Sequence, residues 1–147
     1  ISYAQSNRER YEGFCQALTD AGKKVDSSLC LTTPLGIDTY REEIDTFLSS
    51  LSRMPDAFVC ASDYVACILM QLLEKRGLRV PEDVAVSGFD NNTEDLLAEH
   101  LTTVQVFNEE LGARLALQIL YRIKYPNTPY EITYLGTNVL YRDSTGD

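Results

Sequence analysis

The chain has 147 residues, which is enough for one domain to bury a hydrophobic core without disulfides or a structural metal. Its 22 acidic and 13 basic residues give a formal net charge of −9 that is spread along the chain. Such a surface repels phosphates, so we do not expect these residues to bind nucleic acid directly. No apolar run approaches the roughly 20 residues that a membrane span needs, so we expect no membrane contact.

The predicted elements begin with a helix in "SNRERYEGFCQALTDAG". Ser6 or Asn7 is its expected N-cap, and Gly22 ends it. Gly13 in the middle costs a helix about 1 kcal/mol relative to alanine. A helix that accepts this cost is expected to lie close against a sheet.

A short strand, "SSLCL", is predicted next, and it is followed by a helix in "TYREEIDTFLSSL". Thr39 and Glu42 have the spacing of a capping box at the start of this helix. The apolar residues behind them repeat at helical spacing, so one face of the helix is expected in the core.

Two buried strands, "AFVCAS" and "VAVSGF", flank the apolar helix "YVACILMQLLEKRG". Asp63 is the expected N-cap of this helix, and Gly77 ends it. Unbroken apolar strands of this length are typical of a parallel sheet that is covered on both faces.

The last third contains a short helical patch "TEDLLAE", a strand "LTTVQV", a helix "EELGARLALQILYRI" that starts at Asn108, and one long or two short strands in "YEITYLGTNVLYRDS". Strands that alternate with helices of ten or more residues indicate β-α units. The predicted fold class is therefore α/β, with a parallel β-sheet flanked by helices.

Polar side chains follow two of the predicted strands, and ligands in open α/β sheets bind beyond the carboxyl ends of the strands. The residues selected by this rule, together with two arginines that open the first helix, are Ser62, Asp63, Asp90, Asn91, Asn92, Arg8 and Arg10. Carboxylate, guanidinium, amide and hydroxyl groups converging on one edge suit a polyhydroxylated ligand such as a sugar. The alternatives are that Asp63 only caps a helix, that Asp90 and the asparagines only form a turn, and that the arginines are only solvated.

The other reactive residue types form no recognisable chemical motif. Cys15, Cys30, Cys60 and Cys67 include no C-x-x-C pair, so we interpret them as buried thiols in a reducing compartment. His100 has no second histidine or acidic pair at ligand spacing, and no G-x-S-x-G motif or phosphate-binding glycine loop is present. We therefore expect no catalytic residues, no metal and no cofactor.

In order along the chain, the phrases "RERYEGFCQAL", "PDAFVCASDYVA", "LEKRGLRVPEDVAVSGFDN", "LTTVQVFNEELG" and "LYRDST" resemble the effector-binding core of the LacI/GalR (lactose-repressor) family. This resemblance implies a periplasmic-binding-protein-like (type I) fold, in which two α/β subdomains close on a small molecule. It also implies a helix-turn-helix headpiece, outside this chain, that binds operator DNA. The chain looks like the last part of such a regulator.

The resemblance implies specific roles for residues of this chain. Asp90 takes the place of the aspartate that accepts hydrogen bonds from the effector, and Arg10 matches the arginine that reaches it. Arg8 is a weaker match. Ser62 stands where many members have an effector-binding asparagine, and "AEHLTTV" lacks the proline usual before Leu-Thr-Thr, so the identity of the sugar stays open.

The resemblance also implies domain and partner assignments. Residues 1–106 and 130–147 are expected to form the C-terminal subdomain, and residues 107–129 to belong with an N-terminal subdomain outside this chain. Without that subdomain, the helix after Asn108 is expected to self-associate or to fold back onto its own sheet. The predicted homodimer interface contains Cys67, Met70, Gln71, Leu96 and Leu97.

The function predicted from these features is that of a cytoplasmic, sugar-responsive transcriptional regulator that is not an enzyme. Effector binding is expected to change the operator affinity of the full-length dimer. The alternative is a periplasmic sugar-binding protein of a transport system, which uses the same fold.

Overall fold

The computed structural model describes residues 4–33, 36, 38–91 and 96–146. The α-helices in these ranges are Gln5–Asp20 (α1), Tyr40–Ser50 (α2), Asp63–Lys75 (α3) and Asn108–Lys124 (α4). The strands are Ala57–Val59 (β1), Ala85–Ser87 (β2), Thr103–Gln105 (β3) and Asn138–Leu140 (β4). Short 3₁₀ helices span Ser27–Leu29, Leu96–His100 and Asp143–Thr145.

The strands β1, β2 and β3 run parallel to one another, and β4 runs antiparallel to β3. β1 pairs in parallel with β2, and β3 pairs antiparallel with β4. Two single parallel bridges, Ser87 with Thr102 and Asp90 with Gln105, join the end of β2 to β3. This arrangement of helices around a parallel sheet confirms the predicted α/β class. The expected burial on both faces is not observed for β1, where Val59 is exposed because no described element covers that side.

The hydrophobic core lies between α2, α3 and β2. Its buried members are Ile44, Leu48, Ala66, Cys67, Ile68, Leu69, Leu72, Leu73, Val84, Val86, Ala98 and Leu101. Helix α3 supplies half of them because its sequence is apolar on more than one face, so it packs on α2 and on the sheet together. Burying each of the larger side chains contributes about 1.5 to 3 kcal/mol, so α3 is the main anchor of the strand ends beside it.

The predicted strand "SSLCL" is wrong, since Ser27–Leu29 is a 3₁₀ helix. Asp26 Oδ1 accepts hydrogen bonds from the Ser28 N–H at 3.0 Å and from Ser28 Oγ at 2.6 Å. Such local side-chain bonds give the backbone an alternative to a sheet ladder. Cys30 has extended dihedral angles but, among the described residues, no strand pairs with it.

The predicted helix caps are partly wrong. Helix α1 begins at Gln5 with Ala4 at the N-cap, so neither Ser6 nor Asn7 caps it. Thr39 does precede α2, but its hydroxyl hydrogen-bonds Glu43 rather than forming a capping box with Glu42. Thr39 has a ψ of 2°, so the chain enters α2 through a turn and not through an extended residue. This turn brings the Glu43 carboxylate, one position after Glu42, to the Thr39 hydroxyl.

The ends of α1 and α3 agree with the prediction, whereas the packing of α1 does not. Gly22 and Gly77 follow these helices with φ of 68° and 73°, a region that favours glycine. A Cβ at Gly13 would meet no atom within 4 Å, and α1 has no buried residue. The close approach to a sheet predicted from Gly13 is therefore absent in the described part of the chain.

Helix α4 begins at Asn108 as predicted but lies away from the core. Its apolar residues Leu111, Leu115, Ile119 and Ile123 are 48–73% exposed, and none of its residues is buried. The helix therefore does not fold back onto its own sheet. Of the one long or two short strands expected after it, only β4 is formed. No described helix combines the length and the hydropathy that crossing a membrane requires.

Candidate functional site

Arg10 in α1 and Asp90 beyond the end of β2 lie together, as the sequence predicts. Arg10 Nη2 lies 3.3 Å from Asp90 Oδ1, while Arg10 Nη1 donates to the carbonyl oxygen of Ala61 at 2.6 Å. The guanidinium carbon also lies 3.7 Å from the centre of the Phe89 ring. A cation over an aromatic face is attracted by the ring quadrupole, so three contacts fix the plane of the guanidinium.

The Arg10–Asp90 pair remains open to solvent on one side. The two side chains are 27% and 43% exposed, respectively. Partial burial raises the pKa of Asp90 above its ordinary value, the positive charge of Arg10 opposes this rise, and the carboxylate of Asp63 adds to it. A half-exposed ion pair with fixed geometry offers both a donor and an acceptor to a ligand hydroxyl.

Asp63 does not cap α3, so that prediction is wrong. Ser62 is the N-cap, and its Oγ accepts a hydrogen bond from the Val65 N–H at 3.4 Å. Ser62 has extended dihedral angles that suit a cap, whereas Asp63 is already helical. The Ser62 oxygen is thus engaged at the start of the helix. The predicted contact of Ser62 with an effector stays a prediction.

The carboxylate of Asp63 points into the protein instead of to the helix end. Asp63 is 2% exposed, and its Oδ1 accepts a hydrogen bond from Thr103 Oγ1 at 2.6 Å. Its N–H donates to the carbonyl oxygen of Phe89 at 2.9 Å. A Cβ at Gly88 would lie 2.1 Å from Asp63 Oδ1, so only glycine at this position leaves room for the carboxylate. Asp63 therefore joins the start of α3 to β3 and to the segment between β2 and Asp90.

Sequence reasoning missed the contributions of Phe89, Gly88 and Thr103 to this arrangement. Phe89 and Gly88 immediately precede Asp90, and a glycine at the end of an apolar strand is a signal of close backbone approach. Thr103 carries no such signal, because its bond to Asp63 joins residues 40 positions apart.

Arg8 is not brought to this pair. It is 58% exposed and forms an ion pair with Glu12, with Arg8 Nε 3.8 Å from Glu12 Oε1. Residues two apart on a helix point about 200° away from each other, so Arg8 and Arg10 occupy different faces. Asn91 lies beside Asp90, and Asn92 lies outside the described residues.

The residues predicted for a dimer interface differ in accessibility. Cys67 is buried in the core, so its side chain offers almost no area to a partner. Met70 and Gln71 on α3 are partly exposed, and Gln71 accepts a hydrogen bond from Arg41 on α2. Leu97 is partly buried against the core, and the side chain of Leu96 lies outside the described residues.

The four cysteines are free thiols, as predicted, but only Cys67 is buried. The prediction of buried thiols is wrong for Cys15, Cys30 and Cys60, which are partly exposed. Burial raises the pKa of Cys60 to about 12, with smaller contributions from Cys67 and Asp63. A thiol with such a pKa stays protonated and is a poor nucleophile. Within residues 4–33, 36, 38–91 and 96–146, histidine, cysteine and acidic side chains form no group of three that could hold a metal ion.

In open α/β sheets, ligands bind beyond the carboxyl ends of the strands, and the half-open Arg10–Asp90 pair lies at this edge of the sheet. The family model described as a periplasmic binding protein-like domain matches residues 2–145. The chain belongs to this family, and the resemblance to its LacI/GalR regulators is confirmed by the relatives below.

Curated relatives include two bacterial regulators. The HTH-type transcriptional regulator DegA of Bacillus subtilis is 35% identical over 107 residues, which covers 72% of this chain and 31% of the relative. The HTH-type transcriptional regulator CelR of Thermobifida fusca is 34% identical over 142 residues, covering 92% of this chain and 40% of the relative. The chain thus spans less than half the length of these relatives.

Two solved structures of regulators are also similar to this chain. A CelR–cellobiose complex is 31% identical with a TM-score of 0.82, over 92% of this chain and 42% of that one. A LacI-family transcriptional regulator from Sanguibacter keddieii is 30% identical with a TM-score of 0.81, over 94% of this chain and 52% of that one.

Proposed function

We propose that the chain is the effector-sensing part of a bacterial transcriptional regulator, and that Arg10 and Asp90 bind a sugar or a related polar ligand. The observation that carries this proposal is the Arg10–Asp90 pair at the strand ends, which is fixed by Phe89 and by the Ala61 carbonyl yet is half open to solvent. Hydroxyl groups of a sugar can donate to the carboxylate and accept from the guanidinium at the same time.

Residues 1–106 and 130–147 would form one subdomain, and residues 107–129 would pack on another. The exposed apolar face of α4 supports this division, because such a face is unlike that of a helix whose partner is present. The apolar face of α4 would pack on the N-terminal subdomain of the same regulator. This fits a chain that spans less than half the length of its relatives.

The regulator would be a cytoplasmic homodimer without enzymatic activity. It would bind operator DNA through a headpiece outside this chain, which agrees with the acidic charge found here. The exposed parts of Met70, Gln71 and Leu97 would contribute to the dimer contact. Free cysteines and relatives that are HTH-type regulators favour this function over sugar transport in the periplasm.

Isothermal titration of the intact regulator tests the proposal. Cellobiose is the first probe, because a CelR complex with it is a structural neighbour, and a panel of mono- and disaccharides follows. Asp90→Ala and Arg10→Ala each remove a charge-assisted hydrogen bond and should weaken binding by about 1.5 to 3 kcal/mol, which is roughly tenfold to more than a hundredfold.

Asp83→Ala is the matched control. It also breaks an arginine–aspartate pair, with Arg79 Nη2 2.9 Å from Asp83 Oδ1, but it lies at a turn before β2. This control should bind like the wild type. Binding that Asp90→Ala leaves unchanged would contradict the site, and a panel in which no sugar binds would contradict the ligand class.

A further inference from the structure

Asp90 and Asn91 are consecutive non-glycine residues with positive φ, at 109° and 55°. Residues other than glycine rarely adopt a positive φ, and such conformations persist where the surrounding structure holds them in place. The direction of the Asp90 carboxylate toward Arg10 depends on this bend. The contacts that stabilise the bend therefore matter for the site.

Three hydrogen bonds hold the bend. The Asp90 N–H donates to the carbonyl oxygen of Val104 at 2.9 Å, and the Asn91 N–H donates to Thr103 Oγ1 at 3.3 Å. Asn91 Oδ1 accepts a hydrogen bond from Arg142 Nη2 at 2.8 Å. The first two come from β3, which also contacts Asp63, whereas the third reaches across from the segment after β4.

Arg142 is well placed to act as a fixed support. Its N–H donates to Thr102 Oγ1 at 2.8 Å, and Thr102 is buried. Its Nη1 donates to the carbonyl oxygens of Ala98 and Leu101 at 3.0 and 2.9 Å. With its backbone and one side of its guanidinium anchored, the planar fork presents Nη2 to Asn91 in a set direction.

We propose that Arg142 is a positioning residue of the ligand site, which holds Asn91 so that the Asp90 carboxylate stays against Arg10. Arg142 would act through Asn91, since its guanidinium donates to Asn91 and to the carbonyl oxygens of Ala98 and Leu101. Its importance for binding rests on the proposed function, whereas its effect on Asp90 does not. The competing role is purely structural, in which Arg142 only fastens the C-terminal segment to the residues around Ala98 and Leu101.

The Asn91→Gly variant separates these two roles. Glycine adopts a φ of 55° freely, so the backbone is not strained, and the acceptor for Arg142 is lost with the side chain. The two carbonyl contacts of Arg142 remain. The pKa of the Asp90 carboxyl and the nuclear Overhauser contacts between the Arg10 side chain and Phe89 are measured by NMR on the chain without ligand.

We expect the pKa of Asp90 in Asn91→Gly to shift from its raised value toward that of an exposed aspartate, and the Arg10–Phe89 contacts to weaken. Burial is the largest cause of the raised pKa of Asp90, so a carboxylate that becomes more exposed loses this cause, although it also moves away from the opposing charge of Arg10. Arg142→Gln should shift the Asp90 pKa in the same direction and also lower the urea midpoint. The Asn91→Gly variant keeps the test decisive if Arg142→Gln fails to fold.

Arg76→Gln is the control for general loss of stability. Arg76 is also partly buried and donates to two backbone carbonyls, those of Leu72 and Asp45, at 3.2 and 3.1 Å. This variant should lower the urea midpoint and leave the titration of Asp90 as in the wild type. An Asp90 titration that is the same in Asn91→Gly and the wild type would overturn the proposal.

The readout needs no ligand, so it is independent of the proposed function. A shifted Asp90 pKa in Asn91→Gly, combined with an intact regulator that binds sugar equally well after Asp90→Ala, would support the effect of Arg142 on Asp90 and refute the ligand site. An Asp90 pKa that is unshifted in Asn91→Gly, combined with lost binding in Asp90→Ala, would refute the effect of Arg142 and support the ligand site.

Discussion

Replacing Gly88 with alanine tests the contact between the end of β2 and the start of α3. The added Cβ would lie 2.1 Å from Asp63 Oδ1, 2.9 Å from Leu101 Cδ2 and 3.2 Å from Asp63 Cα. None of these atoms can move freely, because Asp63 and Leu101 are both buried and Asp63 is bonded to Thr103. Overpacking costs about 1 to 3 kcal/mol, and losing the Thr103 bond to a charged acceptor costs about 1.5 to 3 kcal/mol. The two costs together give an expected loss of about 2.5 to 6 kcal/mol in the free energy of unfolding of Gly88→Ala.

Urea unfolding followed by circular dichroism, at one fixed protein concentration, measures this loss. Gly13→Ala is the matched control, because a Cβ at Gly13 meets no atom within 4 Å. Alanine is the better helix former, so this variant should gain up to about 1 kcal/mol. If Gly88→Ala unfolds within about 1 kcal/mol of the wild type, the close packing of Asp63 on Gly88 is refuted.

Two further predictions concern the thiols and α4. Because burial raises the pKa of Cys60 to about 12, Cys60 should resist alkylation at pH 8 in the folded chain and react once urea is added. The same shift implies a contribution to stability that is present below the unfolded thiol pKa of about 8.5 and is lost as the pH rises above it. A series of urea midpoints at increasing pH would reveal this loss. The Cys60→Ala variant should abolish it. The isolated 147-residue chain should self-associate through the exposed apolar residues of α4, and Ile119→Glu should return it to a monomer, whereas Gln16→Glu on exposed α1 should not. Sedimentation velocity that finds a wild-type monomer at all concentrations would contradict this prediction.

The sequence predicts the core elements well because their signals are local. Helix α3 and strand β2 are apolar runs bounded by Gly77 and by polar residues, and these patterns require no knowledge of distant contacts. The strand expected at residues 27–31 fails for the opposite reason. A strand needs a partner, whereas the Asp26 side chain stabilises a 3₁₀ turn from within its own segment.

The candidate site divides in the same way. The convergence of Arg10 and Asp90 follows from the rule that ligands gather at strand ends, together with the family resemblance. The role of Asp63 could not be read from sequence, because an aspartate before an apolar helix has the same pattern whether it caps the helix or points inward. Its inward position depends on Gly88, just after β2, and on Thr103 in β3.

The backbone around Asp90 connects the candidate site to the part of the chain expected to contact another subdomain. The Asp90 N–H bonds the carbonyl of Val104 in β3, and only two residues separate β3 from α4. A ligand that draws Asp90 and Arg10 together would therefore act on the segment that leads directly into the exposed apolar helix. Allosteric coupling free energies are typically about 1 to 3 kcal/mol, which is comparable to a single charge-assisted hydrogen bond. In the proposed regulator, one ligand contact at Asp90 that differs between two subdomain arrangements would thus be sufficient to change operator affinity by about fivefold or more.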